Sequence, residues 1–513
     1  MTRQPTALLS VSDKRGITEL GRALVHHGWR ILTTGGTAKA LSDDGIPVTE
    51  VAAHTGFPEI MDGRVKTLHP KIHGGLLARR GLDEPAMAEN GIDPIDLLAV
   101  NLYPFVSTVS REGCTLAEGI EQIDVGGPAM LRAAAKNHSD VCVVCDPDDY
   151  ASVIQALPQT LDLETRRALA VKAFAHTAAY DAQISQWLEQ QTRSGDLPRL
   201  IDLNLAHVET LRYGENPHQA AGVYLRREPN KGGLASARPL QGKALSYNNL
   251  LDADAAQRAL TNLSSDESAC VIIKHGNPCG AALADNAEKA YARALACDPT
   301  SAFGGIIAFN REVDQSLARR LTERFVELVL APAVTQDALA VFSTKPNLRV
   351  IAVAPFAAPA LELRGIDGGW LVQETDYATI DESDWKVVTE RQPTAAERAD
   401  MRFAWSVARS VKSNAIVYAH NLSTLGIGAG QMSRVDSARI GALKAQDAKL
   451  SLTGSAMASD AFFPFADSIE TAAKHGISAV IQPGGSIRDT EVIAACDAHD
   501  ISMILTGTRH FKH

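Results

Sequence analysis

The first 150 residues alternate short apolar runs with stretches of helical periodicity, and this alternation restricts the fold more than any other feature of the chain. Residues 7–11, 29–33, 97–102 and 141–145 are apolar enough to be buried strands, and residues 14–27 repeat apolar side chains at helical spacing. Strands that alternate with helices form a mostly parallel sheet with helices packed on its faces. We therefore predict an α/β fold for this region.

The length of the chain requires more than one domain, because 513 residues exceed what a single hydrophobic core supports. Residues 163–191 predict one long helix, and Gly195-Asp196-Leu197-Pro198 then breaks this pattern. We place the domain boundary at this break, which gives domains 1–198 and 199–513.

The second domain again has α/β patterning, together with a candidate internal repeat. Residues 271–277 and 410–416 both join apolar positions to a lysine and an asparagine. A stretch rich in proline and alanine at 353–361 separates the two candidate halves. The match is short, but it favours a duplicated domain.

The charge of the chain argues against a nucleic-acid-binding surface. The formal net charge is −10, the pI is near 5.9, and no long run of lysine and arginine occurs. No apolar run approaches the roughly 20 residues that a membrane helix needs, and the N-terminus lacks the apolar core of a signal peptide. We expect a cytoplasmic protein that binds neither nucleic acid nor a membrane.

The seven cysteines do not form a disulfide framework, since their number is odd and they are scattered along the chain. Cys142 and Cys145 have the CxxC spacing of zinc ligands, but they lie in an apolar run and no second pair follows. Core packing is therefore the favoured interpretation, and we predict no metal site.

A glycine turn at residues 33–38 lies between a predicted strand and a predicted helix. Its two glycines permit a tight turn, and the free N–H groups at the helix start then point toward an anion. Serine and lysine at the end of the first strand face the same crevice, which favours phosphate binding over a simple turn. The Walker and dinucleotide-binding spacings are both missing. The predicted phosphate-binding residues are Ser12, Lys14, Thr34, Gly36 and Thr37.

Residues 62–75 place six basic or imidazole groups in a short segment in which only Asp62 is acidic. This composition indicates a site for anionic or oxyanionic groups of a ligand. Tyr103, Asp124 and Lys136 also lie at predicted strand-to-helix transitions. Each has a structural alternative: an interface aromatic, a helix N-cap and a cation at a helix C-terminus, respectively.

In the second domain, the apolar run 269–273 leads directly into Lys274 and His275 and then into a glycine-rich segment, 276–282, that we predict to be a loop. Strand ends in α/β folds are where ligands bind, because the loops there converge on one crevice. A lysine beside an imidazole can take a proton from a weak nucleophile. The alternative is a strand end at which both side chains simply reach water.

Together these motifs resemble the bifunctional family of phosphoribosylaminoimidazolecarboxamide (AICAR) formyltransferase/IMP cyclohydrolase enzymes of purine biosynthesis. The resemblance covers essentially the whole chain. It rests on GRVKTLHP at 63–70, NLYPF at 101–105, AAAKNH at 133–138, LRYGENPHQ at 211–219, KHGNP at 274–278, SAFGG at 301–305, VKSNA at 411–415 and SDAFFPF at 459–465.

The resemblance implies a methylglyoxal-synthase-like parallel-sheet domain, 1–198, that carries IMP cyclohydrolase activity. It implies a duplicated, cytidine-deaminase-like α/β domain, 199–513, that carries AICAR formyltransferase activity. In the first reaction the 5-amino group of AICAR takes a formyl group from 10-formyltetrahydrofolate. In the second, formyl-AICAR closes to inosine monophosphate with loss of water.

For formyl transfer the resemblance implies His275 as the general base and Lys274 as the cation that stabilises an oxyanion or returns a proton to the folate nitrogen. Asn414 would orient the formyl oxygen or the carboxamide. The implied substrate-binding residues are Arg212, Tyr213, Lys243, Gly304 and Arg509 for the nucleotide and Phe462, Pro464 and Asp467 for the folate.

For cyclisation the resemblance implies Lys66 as the cation beside the developing oxyanion. Lys136 would form a proton-transfer network with Asp124 and Tyr103. Positioning matters most in this step, since nucleophile and electrophile share one molecule. The implied ribose- and phosphate-binding residues are Ser12, Lys14, Thr34, Gly36, Thr37, Arg64, Thr67 and Asn101.

The family implies small-molecule partners (AICAR, formyl-AICAR and folate), no tightly bound cofactor, and a homodimer with formyltransferase sites between the chains.

Two other classes of protein are alternatives. A zinc nucleoside deaminase needs His-x-Glu and Pro-Cys-x2-Cys, whereas Cys279 has no partner at that spacing. A nucleotide-sensing regulatory module leaves Tyr103, Asp124 and Lys136 without a purpose.

Overall fold

The computed structural model describes residues 3–157, 161–192, 197–226, 233–263, 266–354, 361–376 and 381–513. It divides into two compact units, residues 1–204 and 205–513. The predicted boundary at 198/199 lies a few residues before this division. Parts of the predicted break at 195–198 and of the separating stretch at 353–361 lie outside the described residues.

The first unit alternates strands and helices along the chain. Its strands are β1 (Thr6–Val11), β2 (Arg30–Thr33), β3 (Thr49–Glu50), β4 (Leu97–Asn101) and β5 (Cys142–Val144). Its α-helices are α1 (Ile17–His26), α2 (Gly35–Asp43), α3 (Val51–Thr55), α4 (Pro70–Leu77), α5 (Glu84–Glu89), α6 (Phe105–Val109), α7 (Leu116–Glu121), α8 (Gly126–Lys136), α9 (Tyr150–Ala156) and α10 (Leu163–Thr192).

These strands form one parallel sheet in the order β3-β2-β1-β4-β5. β1 and β4 are buried along almost their whole length, because helices cover both faces. The α/β prediction for this unit is confirmed. β1 occupies the centre of the sheet, so the carboxyl ends of β1, β2 and β4 lie side by side. No helix within the described residues is long and apolar enough to cross a membrane.

The second unit contains two short hairpins and one large mixed sheet. Its strands are β6 (Leu205–Leu211), β7 (Ala221–Arg226), β8 (Ser268–Lys274), β9 (Asn277–Ala284), β10 (Ile306–Phe309), β11 (Leu328–Ala331), β12 (Arg349–Ala352), β13 (Leu361–Ile366), β14 (Gly369–Glu374), β15 (Lys386–Val387), β16 (Ile416–His420), β17 (Ser423–Gly428), β18 (Ala456–Ser459), β19 (Ala479–Gln482) and β20 (Ser502–Leu505). Its α-helices are α11 (Tyr247–Asn262), α12 (Ala287–Cys297), α13 (Gln315–Thr322), α14 (Gln336–Phe342), α15 (Ala395–Ala408), α16 (Arg434–Asp447), α17 (Asp467–Lys474) and α18 (Asp489–Ala498).

The large sheet repeats one arrangement twice. Its order is β12-β11-β10-β8-β9-β17-β16-β18-β19-β20-β15. In each half an antiparallel hairpin (β8–β9 or β16–β17) is followed by a strand antiparallel to its first member and then by two parallel strands. The predicted mixed α/β class is confirmed, and the topology shows the duplication directly.

Two glycines mark equivalent positions of the two halves. Gly280 is the fourth residue of β9, and Gly426 is the fourth residue of β17. A Cβ at Gly280 would overlap the carbonyl oxygen of Ala294 in α12, and one at Gly426 would overlap that of Gly441 in α16. Each hairpin therefore uses a glycine to let a helix backbone rest directly on the sheet.

The short sequence match on which we based the repeat is wrong in its register. Residues 271–274 lie within β8, whereas residues 410–415 precede β16, the strand equivalent to β8. The true counterpart of the β8–β9 turn is the turn between β16 and β17. Little side-chain similarity links these two turns, because what the halves share is backbone geometry.

The central seam of the sheet joins β9 to β17 with few ladder contacts. Ser423 pairs with Ala282, and the N–H of Leu283 donates to the carbonyl of Leu422 at 2.9 Å. The buried hydroxyl of Thr424 bridges both backbone groups of Ala281, at 2.9 and 3.2 Å. A side chain thus replaces part of the usual strand ladder.

Replacing Gly280 by alanine should destabilise the second unit by about 1–3 kcal/mol, because the new methyl group forces α12 away from β9. The loss should appear as a lower midpoint of thermal unfolding. Gly369→Ala is the matched control, since that strand glycine has open space around it. Equal midpoints for the two variants would contradict the proposed close packing.

Candidate active sites

The carboxyl ends of β1, β2 and β4 bring the predicted phosphate-binding residues of the first unit together. The amide oxygen of Asn101 accepts hydrogen bonds from the backbone N–H groups of Ser12 at 2.5 Å and Asp13 at 2.8 Å. The hydroxyl of Thr34 lies 2.8 Å from that of Ser10. The loops after β1, β2 and β4 are therefore tied into one crevice.

A lysine and a helix start line this crevice. The ammonium of Lys14 donates to the carbonyl of Val11 and, at 3.1 Å, to the hydroxyl of Thr37. A Cβ at Gly36 would lie 3.9 Å from the Lys14 Nζ, so the first turn of α2 faces that cation closely. Burial lowers the pKa of Lys14, and the nearby Asp13 opposes this shift only in part. An ammonium beside free helix N–H groups is suited to a phosphate.

A second cluster in the first unit contains Lys66, Thr67 and Asp124. The Lys66 ammonium lies 3.7 Å from the Glu59 carboxylate. The Thr67 hydroxyl packs against Gly126, since a Cβ at that glycine would lie only 2.8 Å from the hydroxyl oxygen. Asp124 accepts a hydrogen bond from the N–H of Gly127, 2.8 Å away, in the first turn of α8.

The carboxyl group of Asp124 has the properties of a proton acceptor. Burial raises its pKa, and hydrogen bonds from the backbone of Gly127 and Tyr103 and the charge of Lys66 only partly offset this. The backbone N–H of Asp124 donates to the hydroxyl of Tyr180, which itself donates to the carbonyl of Gln122. Burial raises the pKa of Tyr180 to about 12, so this anchor stays protonated at neutral pH.

Two predicted residues of the first unit, Arg64 and Lys136, are exposed on its surface. Lys136 is the last residue of α8, whereas Asp124 contacts the first turn of that helix. Eleven helical residues span about 16 Å. Lys136 is exposed at the C-terminus of α8, a position that also suits a helix C-terminal cation. Its predicted proton-transfer network with Asp124 and Tyr103 stays a prediction. Arg64 is exposed and forms an ion pair with Glu121.

In the second unit, Lys274 and His275 lie on a hairpin, not at the end of a parallel strand. β8 is antiparallel to both of its neighbours, and the predicted loop 276–282 belongs mostly to β9. His275 and Gly276 form the two-residue turn, and both have positive φ (53° and 74°). The loop prediction failed because Pro278 and Gly280 usually interrupt strands. Here Pro278 lies at a register shift and Gly280 lies under α12.

The Lys274 side chain is fixed by backbone carbonyls. Its ammonium donates to the carbonyl oxygens of Phe303 at 3.1 Å and Gly304 at 2.9 Å. Gly304 has φ of 64°, and a Cβ there would lie 3.4 Å from the Lys274 Nζ. The glycine of the SAFGG motif thus permits its own carbonyl and the lysine to approach closely.

Lys274 and His275 line the same cavity of about 280 Å³. The cavity is also lined by Lys444, which forms an ion pair with Asp298 and lies 3.5 Å from the Ser301 hydroxyl. The remaining lining residues are Asn277, Pro278, Cys279, Ile427, Ala429, Gln431 and Ile440. The cavity therefore combines an imidazole, two ammonium groups and apolar surface.

Asn414 lies near this cavity but is already engaged. Its side-chain NH2 group donates to the carbonyls of Gln431 at 2.9 Å and Met432 at 3.1 Å, and its oxygen accepts from Arg434 at 2.7 Å. Arg434 in turn pairs with the fully buried Asp460. Because both amide hydrogens are used in this conformation, Asn414 can offer a substrate only its oxygen as an acceptor. Its predicted role in orienting the formyl oxygen or the carboxamide stays a prediction.

The other predicted residues of the second unit do not line this cavity. Arg212 stacks over the ring of Tyr213 at 4.5 Å and donates to its hydroxyl at 2.6 Å. Arg509 covers Phe511 in the same way at 4.4 Å. The remaining four residues are exposed or half-buried, and their substrate-binding roles stay predictions: Lys243, Phe462, Pro464 and Asp467.

Sequence reasoning missed several groups at these sites. Glu59, Tyr180, Asp298 and Lys444 all contact or flank predicted residues, yet none belongs to a motif that signals chemistry on its own. Lys444 lies on α16, far along the chain from Lys274, so only the fold brings these two together. Of these residues, Glu59 could have been found from the sequence, because it is an acidic residue in the segment just before Lys66.

A zinc deaminase would need a set of metal ligands that includes Cys279. Across the part of the chain that the structure describes, no three His, Cys, Asp or Glu side chains gather as a metal site. Burial raises the pKa of the Cys279 thiol to about 12, so this cavity-lining cysteine is not a ready thiolate. The donor set of a zinc deaminase is therefore not assembled around Cys279.

Family models and a solved structure match parts of this chain. A family model described as an MGS-like domain matches residues 16–129. The crystal structure of ForH is 42% identical over 36% of this chain and 100% of its own, with a TM-score of 0.34. A second family model, described as the AICARFT/IMPCHase bienzyme, matches residues 134–444. Since that match covers more than half of the chain, the protein belongs to the AICARFT/IMPCHase bienzyme family of bifunctional enzymes in purine biosynthesis.

Proposed function

We propose that the second unit transfers a formyl group from 10-formyltetrahydrofolate to the 5-amino group of AICAR, and that the first unit cyclises formyl-AICAR to inosine monophosphate. The observation that carries the proposal is the pairing of Lys274 and His275 at one cavity of a chain in this family. Family membership supplies the reaction class, and these side chains supply suitable groups for it.

In formyl transfer, the amine nitrogen of AICAR attacks the formyl carbon and loses a proton. His275 takes this proton, because an aromatic amine conjugated with a carboxamide is too weak a nucleophile to react while it keeps it. The developing oxyanion needs a cation nearby. Lys274 fits this role, since two of its three N–H bonds go to Phe303 and Gly304 and the third is available. The bond between the formyl carbon and the folate nitrogen then breaks, and that nitrogen takes up a proton, which Lys274 can supply, so that tetrahydrofolate leaves.

In cyclisation, the carboxamide nitrogen attacks the formyl carbon of the same molecule, and water leaves. Lys66 stabilises the oxyanion, and Asp124, whose pKa burial raises, accepts the proton. The backbone of Tyr103 donates a hydrogen bond to the Asp124 carboxylate. The crevice at β1, β2 and β4 holds the phosphate with Lys14, Thr37 and the start of α2.

The same proposal covers the cosubstrate, the assembly and the location. The folate enters and leaves as a cosubstrate and is not a bound cofactor. A cytoplasmic homodimer with shared formyltransferase sites would explain why Arg212, Tyr213 and Arg509 do not line the cavity of Lys274 in one chain. The implied partners are small molecules, neither nucleic acid nor membrane.

The direct test is to incubate the purified protein with AICAR and 10-formyltetrahydrofolate while tetrahydrofolate release and inosine monophosphate formation are followed together. Both products should appear in equal amounts, and omission of either substrate should abolish both. Nucleotide binding without turnover would contradict the proposal and favour a nucleotide-sensing module. Tetrahydrofolate release without inosine monophosphate would refute the assignment of cyclisation to the first unit.

A further inference from the structure

The turn that carries His275 has a backbone conformation that needs support. His275 has φ of 53°, a left-handed conformation that is unfavourable for a residue with a side chain. The direction of the imidazole depends on this turn, because the Cα–Cβ bond is fixed by the backbone. Whatever holds the turn therefore determines where the proposed base points.

A carboxylate from α11 holds the turn. The Asp252 Oδ1 accepts a hydrogen bond from the backbone N–H of Gly276 at 2.6 Å. On the far side of the turn, the Asn277 side chain accepts from the backbone N–H of Lys412 at 2.9 Å. The turn is thus held from a helix on one side and from the second half of the unit on the other.

The second half of the unit repeats the carboxylate at the equivalent place. Asp400, on α15, accepts from the backbone N–H groups of Asn421 at 3.0 Å and Leu422 at 2.7 Å. Both residues of that turn also have positive φ (51° and 55°). The helix that precedes each hairpin therefore supplies an aspartate to a left-handed two-residue turn.

The two turns differ in what they carry. The first presents Lys274 and His275 to the cavity, whereas the second has His420 and Asn421 at the same positions and lies at the other end of the paired strands β9 and β17. The shared aspartate thus serves folding in both halves, and it can serve catalysis only in the first.

We infer that Asp252 is a positioning residue for formyl transfer, which it supports by holding the His275–Gly276 turn through the Gly276 N–H. This inference rests on the proposed function of the second unit. Asp252 acts through the backbone and contacts no substrate. Its acceptor oxygen matters, and its negative charge does not.

Asp252→Ala should lower kcat for formyl transfer by about 10²-fold with little change in the KM for AICAR, because the base is displaced while the binding groups remain. Asp252→Asn keeps an oxygen acceptor and should restore most of the rate, with an unchanged pH profile. Asp400→Ala is the matched control. It removes the equivalent carboxylate and should lower the midpoint of thermal unfolding at least as much, yet leave formyl transfer intact.

Equal losses of activity in Asp252→Ala and Asp400→Ala would overturn the inference, because the effect would then be one of folding alone. An Asp252→Asn rate as low as that of alanine would overturn it as well, since charge would then be the operative property. If the alanine variant does not fold, Asp252→Ser, which is too short to reach Gly276, takes its place. Failure of the unaltered protein to transfer formyl groups would refute the proposed function instead.

Discussion

Replacing His275 by alanine is expected to lower formyl transfer by about 10²–10⁴-fold, the usual contribution of a general base. Cyclisation of supplied formyl-AICAR should stay at its normal rate, because His275 lies in the unit of residues 205–513 and the proposed cyclisation residues lie in the other. The measurement is the rate of tetrahydrofolate release, with the rate of inosine monophosphate formation from formyl-AICAR followed separately.

His420→Ala provides the control for this variant. His420 ends β16 in the repeated hairpin, is about half exposed, and does not line the cavity of Lys274. Its removal should leave both reactions unchanged. Equal loss of both reactions in His275→Ala would show that the two activities do not have separate sites.

Replacing Lys66 by alanine should have the reverse effect. Loss of a group that stabilises a developing oxyanion costs about 10²–10³-fold in rate, so cyclisation should fall by that amount while formyl transfer continues. Formyl-AICAR should then accumulate when the variant is given AICAR and 10-formyltetrahydrofolate. Chromatographic detection of this intermediate is the measurement.

Lys39→Ala is a suitable control for Lys66→Ala, since Lys39 is an exposed lysine of the same unit on α2. It should cyclise formyl-AICAR normally. An unaffected cyclisation rate in Lys66→Ala would remove Lys66 from the mechanism. Glu59 would then be only the partner of a surface lysine.

The first unit was largely predictable because its strands are apolar runs buried on both faces. Strands β2, β4 and β5 fall within predicted segments, and β1 begins one residue before its predicted segment. The crevice follows from β1 lying between β2 and β4. The grouping of the proposed phosphate-binding residues was predictable for the same reason, as these residues lie just after those strands. The distance of Lys136 from the start of α8 could not be predicted, because a motif records order along the chain and not the length of the helix that carries it.

The second unit was harder to predict because its elements break local rules. β9 contains proline and glycine, which usually end strands, and its pairing with β8 and packing under α12 override those preferences. The Asn414 side chain is consumed by Arg434 and two carbonyls that lie well beyond it in sequence. Such contacts depend on tertiary structure, and no spacing in the sequence encodes them.

The seam at Thr424 limits how this protein can be dissected. Cutting between the repeated halves would leave β9 and β17 each with an unpaired row of backbone groups, which is a template for aggregation. It would also remove Ala281, the hydrogen-bond partner of the Thr424 hydroxyl, from the fragment that contains Thr424. Engineering, truncation or transplantation of the second unit must therefore treat both halves as a single body.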